Sequence, residues 1–295
     1  MSITDPSRSV TVLYPMTRYP FRWFAINEIQ EGLLEIMTDV DRAFRECGVE
    51  YSLAYGTVLG AVRHGGFIPW DDDIDIVILD TDEDKLDMIM EHLPEGKYFL
   101  QRPLTVDWAN SFYKLKLNGS TAIEESHLGT RMHQGLFIDI FVARRCPNPG
   151  IRRKLFFLLE YIQRGFRLMC FRNYGRPRRD WWQAILYWFY RRDLGMRRRL
   201  CKKKDAYVHM DEPTGAKEVF ERSLMESMTD IGFEGRTFRV VSDYEGYLTR
   251  VYGDYMQLPP EEQRVGKHLI AYDRNLDYRD WLAEHYKDGK LTGLE

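Results

Sequence analysis

Cysteine is scarce and scattered. The four in the chain (Cys47, Cys146, Cys170 and Cys201) form no CxxC pair, which argues against a zinc ribbon or a disulfide scaffold and fits a reducing compartment. Long apolar runs are missing as well. No stretch approaches the roughly 18 uncharged apolar residues that a membrane-spanning helix needs. The opening MSITDPSRSVTVLYPM lacks the basic segment and apolar core of a signal peptide. No spanning helix and no leader are therefore expected, and the expected location is cytoplasmic, with peripheral contact at the inner face of the cytoplasmic membrane left open. There are no internal repeats and no low-complexity tracts.

Aromatics are plentiful, with 18 Tyr, 16 Phe and 7 Trp in 295 residues. Such rings pack cores and also line sites for sugars, bases and quaternary ammonium groups. The net charge of −3 hides an asymmetry: Arg144 to Lys204 holds 19 Lys and Arg against three acids (Glu160, Asp180, Asp193), leaving −19 for the remainder.

Apolar residues from Ile26 to Phe44 recur at steps of three and four, which predicts an amphipathic helix ended by Gly48. Val49 to Ala54 reads as a strand, followed by a turn at Gly56-Thr57 and a short helix through Leu59, Ala61 and Val62. Ile74 to Leu79, Phe112 to Leu117 and Leu136 to Val142 read as strands, and Asp82 to Leu93 as a helix. Helical patterns run from Ile151 to about Tyr190, broken by a loop at NYGRPRR, and again from Met196 to His209. Thr237 to Val241 alternates like a strand, and Tyr244 to Tyr252 reads as a helix. This order predicts an α+β protein with a mixed sheet, flanking helices and a basic helical part. The expected boundaries are 1–145 for a catalytic core, 146–210 for a basic aromatic helical insertion and 211–295 for a C-terminal part completing the core.

HGGFIPWDDDIDIVI (64–78) sets four aspartates in five positions beside an apolar strand. Like charges so close repel by several tenths of a kcal/mol or more per pair. In extended chain, residues i and i+2 share a face, so Asp73 and Asp75 stand side by side, Asp71 joins them if the strand starts early, and Asp72 points away. Paired oxygen ligands on a rigid strand suit a hard divalent cation, Mg²⁺ or Mn²⁺. Asp139, the lone acid in GLFIDIFVA, needs a partner in its apolar strand and is the candidate third ligand. A buried arginine partner is the alternative. Upstream, Gly56 and Thr57 at a helix start offer N–H groups and a hydroxyl to a phosphate, with Arg63 and His64 adding positive charge. Strand, Gly-Thr turn, helix and D-x-D strand together are the arrangement nucleotidyl transfer needs, one element for the phosphates and the other for the metal that bridges them. Lys114 and Lys116 share one strand face, facing either phosphates or solvent. His127 and His133 show no metal-ligand spacing and stay unassigned.

GTVLGAVRHGGFIPWDDDIDI resembles the signature of the LicD family of phosphotransferases, and FYKLKLNGSTAIEE, HQGLFIDIF and VYGDYMQLPPEEQRVGKH look like LicD segments in the same order. The likeness covers about 25–145 and 235–270. It implies a nucleotidyltransferase-like fold, a divalent metal, and transfer of phosphocholine or a related phosphoalcohol from a CDP-linked donor to a glycan hydroxyl, releasing CMP. Asp73, Asp75 and Asp139 match the metal set, and Asp71 begins the same DxDxD run. Asp71 or Asp139 is the implied general base. Gly56 and Thr57 match the phosphate turn, and Arg264 and His268 fall where a donor or acceptor contact is implied. Phe141-Val142-Ala143 departs from the FPLD more usual there. For a choline cargo, Trp70, Trp108, Phe112 and Tyr113 are the aromatic cage candidates, each also explicable as core. A true nucleotidyltransferase with the same metal site, or an inactive glycan-binding member, are the alternatives.

No family signature covers 150–204. Its charge, with Phe156, Phe157, Trp181, Trp182, Trp188 and Phe189, fits contact with anionic lipid. Pairing of its arginines with the acidic remainder is the plainer alternative. Nucleic acid is not expected as a partner.

Overall fold

The computed structural model describes residues 26–103, 105, 110–128, 130, 132–171, 180–210, 218–266, 269–287 and 290–291. Trp108 and His268 lie outside them, as do the side chains of Trp181 and Trp182.

Helix α1 (Ile26–Glu46) buries the stripe its periodicity predicts: Ile29, Leu33, Ile36, Met37, Val40 and Phe44. It packs on the sheet, close enough that a Cβ on Gly32 would meet Leu136 Cδ2 at 2.6 Å. Only Ser52–Leu53 of the predicted first strand pairs, as β1. Gly56 and Thr57 belong to the first turn of α2 (Tyr55–His64) rather than to a separate turn. Strand β2 is Asp75–Leu79. A 3₁₀ turn (Glu83–Lys85) leads into α3 (Leu86–His92). Next come β3 (Tyr98–Gln101), β4 (Tyr113–Leu117), β5 (Thr121–Glu124) and the long β6 (Phe137–Cys146).

Helices α4 (Ile151–Phe171) and α5 (Asp180–Leu200) follow. The helix expected from Met196 to His209 stops at Leu200, and Tyr207–His209 is strand β7. Helical spacing runs on past Leu200, but Tyr207-Val208-His209 pairs with Cys146, Arg145 and Arg144 of β6. That tertiary pairing outweighs local propensity. The chain continues through β8 (Val219–Glu221), α6 (Arg222–Glu226), the hairpin β9 (Met228–Phe233) and β10 (Arg236–Val241), α7 (Tyr244–Tyr252), β11 (Leu269–Asp273) and α8 (Tyr278–His285).

The protein is α+β. Its main sheet runs β1-β2-β6-β4-β3, with β7 and β8 extending it from β6; β2 and β6 are parallel and the other pairs antiparallel. The α4/α5 hairpin is thus inserted between two strands of one sheet.

The HGG stretch has a structural explanation. Gly65 caps α2 in the left-handed conformation at φ 68°, where glycine is favoured. The tip of the β9–β10 hairpin then plugs the loop: Glu234 Oε1 accepts from the Phe67 N–H at 3.0 Å, and the Glu234 N–H donates to Gly65 O at 3.0 Å. A Cβ on Gly66 would collide with that carboxylate. Gly66→Ala is expected to cost about 1–3 kcal/mol. Adding Glu234→Ala should recover part of the loss in urea unfolding, because the obstacle goes with it.

Candidate active site

The carboxylates gather where β2 and β6 begin. Asp75 is the register partner of Asp139 across the parallel pair, and Asp139 is the partner of Lys114 across the next. Register partners project from the same face, so Asp75, Asp139 and Lys114 form one row across three adjacent strands. Asp73 precedes β2, and exposure alternates through the run: Asp71, Asp73 and Asp75 are half-buried, while Asp72 and Ile74 are buried. Asp72 does point away, its Oδ2 accepting from the Leu269 N–H of β11 at 3.2 Å.

The row is electrostatically loaded. Partial burial first, then Asp73, Asp139 and Asp71, push the Asp75 pKa well above the ordinary carboxylate range, with Lys114 opposing. Asp139 is raised to about 6 by burial, Glu124 and Asp73, against the pull of Lys114. Lys114 Nζ lies 3.0 Å from Asp139 Oδ1 and 3.7 Å from Glu124 Oε2, and 3.3 Å over the Phe137 ring. Glu124 in turn holds His127 Nδ1 at 2.7 Å. One ammonium thus answers a cluster of carboxylates. Among the described residues no three Asp, Glu, His or Cys side chains are placed so that they could hold a metal ion as they stand. The all-oxygen donor set and its excess charge nonetheless fit a hard divalent cation.

Neither lysine faces solvent. Lys114 is 2 % and Lys116 1 % exposed, which removes the solvated-strand alternative. Lys114 keeps a raised pKa because Asp139 and Glu124 outweigh its burial. Lys116 donates to the His133 carbonyl, and burial and Lys114 lower its pKa to about 7. Folding therefore disfavours its charged form. Between about pH 7 and 10 the unfolded chain holds the extra proton, so this residue makes stability rise with pH and costs the fold most below about 7. Lys116→Met is expected to raise stability by about 1–3 kcal/mol at pH 6 and much less at pH 10, a difference that urea titrations at the two pH values would read.

The α2 start sits against the same cluster. A Cβ on Gly56 would meet Asp71 Oδ2 at 2.9 Å, so the Asp71 carboxylate occupies the anion-favouring helix N-terminus. Thr57 is buried, and its hydroxyl accepts from the Asp75 N–H at 2.9 Å. In this structure it anchors β2. Tyr55 holds φ 44°, a strained value for a residue with a side chain. The Tyr247 hydroxyl, accepting from the Tyr55 N–H at 3.1 Å, and a 2.7 Å bond from the Tyr55 hydroxyl to Glu218 hold it there.

Arg63 and Arg264, 201 positions apart, reach one corner. Burial and then Arg264 lower the Arg63 pKa, while Tyr252 and Asp71 raise it. Arg63 donates to Tyr255 O at 3.1 Å and to His64 Nε2 at 3.0 Å, so that nitrogen of His64 is unprotonated. Arg264 sits 5.8 Å from the Trp70 ring centre. Two tyrosines of α7 that the sequence does not single out complete the surround. Tyr252 is raised by desolvation, Tyr247, Asp75, Asp71 and Asp73. Tyr247 is raised by burial, with Glu218 and Asp75 adding. Their spacing of five fits neither the three- nor the four-residue repeat of a helix face, so no local signal marks them.

Other candidates belong elsewhere. Tyr113 points to the opposite face and donates to Glu83 at 2.9 Å, and Phe112 packs on Phe141 at 4.7 Å between ring centres; both are core. His133 accepts from the Gly135 N–H and meets Asn118 Oδ1 at 2.8 Å. Its pKa is lowered to about 4 by burial and Lys116. A cavity of about 430 Å³ lined by Asp80, Glu83, Arg144, Arg198 and Lys203 lies at the far ends of β2 and β6, roughly 16 Å along the strands from the carboxylates.

A mixed sheet thus carries a carboxylate row beside a helix N-terminus. Residues 48–157 match the family described as LicD/FKTN/FKRP, nucleotidyltransferase domain. It is 28 % identical over 238 residues to the lipopolysaccharide cholinephosphotransferase LicD of Haemophilus influenzae, spanning 75 % of this chain and 87 % of that protein. Shorter matches of 67 residues, at 39 % and 38 % identity, reach about a quarter of uncharacterized proteins from Rickettsia prowazekii and Rickettsia typhi.

Proposed function

We propose that this chain transfers phosphocholine, or a related phosphoalcohol, from a CDP-linked donor to a hydroxyl of a cell-surface glycan or its lipid-linked precursor. The observation that carries this reading is the Asp75–Asp139–Lys114 row beside the α2 N-terminus, in a chain similar to a lipopolysaccharide cholinephosphotransferase. Asp73, Asp75 and Asp139 would hold Mg²⁺ or Mn²⁺, which when bound neutralises the donor's diphosphate.

The chain's own residues supply the rest. Arg63 and Arg264 orient the phosphates from the cationic corner. Asp71, outside that metal set, takes the acceptor's proton, and Asp139 is the second candidate should it not bind the cation. The acceptor hydroxyl oxygen bonds to the phosphorus distal to cytidine while its proton passes to the carboxylate. The bridging P–O bond breaks with its electron pair on CMP, which leaves. Lys114 holds Asp139 in place and tempers the charge around it.

The test is incubation with CDP-choline and Mg²⁺ or Mn²⁺, with and without a glycolipid extract, reading free CMP. Metal-dependent CMP that rises with extract and vanishes in Asp73→Ala/Asp75→Ala is the expected result. CMP from CDP-ethanolamine, CDP-glycerol or CDP-ribitol alone would keep the chemistry and change the cargo. Pyrophosphate released from CTP, with no CMP from any CDP-alcohol, would overturn the reading in favour of nucleotidyl transfer.

A further inference from the structure

The α4/α5 hairpin turns a set of apolar side chains outward. On α4, Ile151, Leu155, Leu158, Tyr161 and Ile162 are all exposed, between 42 % and 86 %. They recur at helical spacing, so they form one stripe. On α5, Trp188, Phe189 and Met196 are exposed too. Phe166, one turn beyond Ile162, stacks on Phe189 with ring centres 5.7 Å apart, and Phe189 meets Trp188 edge-on. The two stripes are therefore continuous. The helices are antiparallel, since Arg152 near the start of α4 donates to the Leu200 carbonyl at the end of α5 at 2.7 Å. Among the described residues no helix is long and apolar enough to cross a membrane.

The charges sort the other way. The hairpin acids with described side chains, Glu160 and Asp193, are 6 % and 3 % exposed. Several basic residues also have internal partners: Arg144 pairs with Glu83, Arg152 with Asp205 at 2.9 Å, and Arg197 with Asp193 at 3.8 Å. Internal pairing therefore accounts for part of the +16. Lys154, Arg192, Arg199 and Lys202 to Lys204 remain exposed, and Arg192 lies 5.2 Å over the Trp188 ring. Phe156, 4 % exposed, belongs to the interior rather than to this surface.

We propose that this face docks in the plane of an anionic lipid bilayer, with the α4 and α5 stripes in the acyl boundary and the exposed lysines and arginines on the headgroups. Exposed aliphatic stripes of this extent mark interaction surfaces. A second copy set against it would bring like charges together, and a nucleic acid would leave Ile151, Leu155, Leu158 and Ile162 without a partner. An anionic bilayer satisfies both sets of residues. The inference rests on the hairpin alone and stands or falls apart from the transfer reaction.

The experiment is flotation of the full chain with phosphatidylcholine vesicles, with or without about 30 mol% phosphatidylglycerol. Strong binding is expected only to the anionic vesicles, weakened but not abolished by salt. Leu155→Ser/Leu158→Ser/Ile162→Ser should reduce binding at least about tenfold, and Arg192→Gln/Arg199→Gln about fivefold or more. Circular dichroism confirms that both variants fold, and their exposed positions predict that they do. No binding to anionic vesicles would overturn the proposal. So would binding indifferent to the serine substitutions, a solution dimer that those substitutions dissociate, or a preference for oligonucleotides over vesicles.

Discussion

Replacing Asp75 with Asn is expected to abolish turnover, by at least about 10³-fold, while making the metal-free protein harder to unfold. Both effects have one cause. Asp75 faces Asp73, Asp139 and Asp71, and its carboxyl is pushed up by that crowd and by burial. The amide keeps the shape and removes the repulsion, but it removes an anionic ligand as well. Asp139 is arranged likewise, with a pKa of about 6 against an ordinary 3.8. Folding favours its protonated form, so its contribution to stability is full below about pH 4 and is lost as pH rises through about 6. Metal-free wild type should therefore lose melting temperature across that window, and millimolar Mg²⁺ should restore it at pH 7. Asp75→Asn should show a shallower slope and a smaller response to Mg²⁺. A core carboxylate with no ligand role would show the first change without the second.

Lys114→Met should have the largest effect on stability, a loss of about 3–5 kcal/mol in urea unfolding at pH 7. Lys114 is the ammonium between Asp139 and Glu124, and its removal leaves both carboxylates buried without it. Burial would then drive both to protonate, which costs folding free energy at neutral pH. Lys114→Met/Glu124→Gln should recover part of the stability, because one of the stranded charges goes too, yet remain inactive because Asp139 has lost its holder. The contrast with Lys116, two residues on along the same strand face, is informative. There the same substitution is expected to stabilise, since burial and Lys114 outweigh the pull of Glu124 and Asp139 and bring its pKa down to about 7.

Much of this arrangement is legible along the chain. The α1 stripe, the span of α7 and the apolar β6 with its single acid follow from periodicity, and the cost of burying a lone carboxylate predicts a partner for Asp139, a place that Lys114 fills. Residues that act across long separations are not legible. Nothing near Lys114 announces that strand register sets it against Asp139, nor that Glu124 and His127 extend that network. Glu234 closes the HGG loop from 168 positions beyond Gly66. Helical spacing also misassigns Tyr207 to His209, because β pairing with β6 is invisible locally. In the basic segment the composition indicates charge but not direction: which arginines turn inward and which apolar residues turn out depends on the packing of α4 on α5.

The most direct test of the central claim is calorimetric titration of Mn²⁺ into the chain without nucleotide. Saturable binding that is lost in both Asp75→Asn and Asp139→Asn, while Asp72→Asn retains it, is the predicted result. Equal binding by wild type and the two row variants, or none by the wild type, would contradict the assignment of the Asp75–Asp139 row as the metal-holding heart of the site.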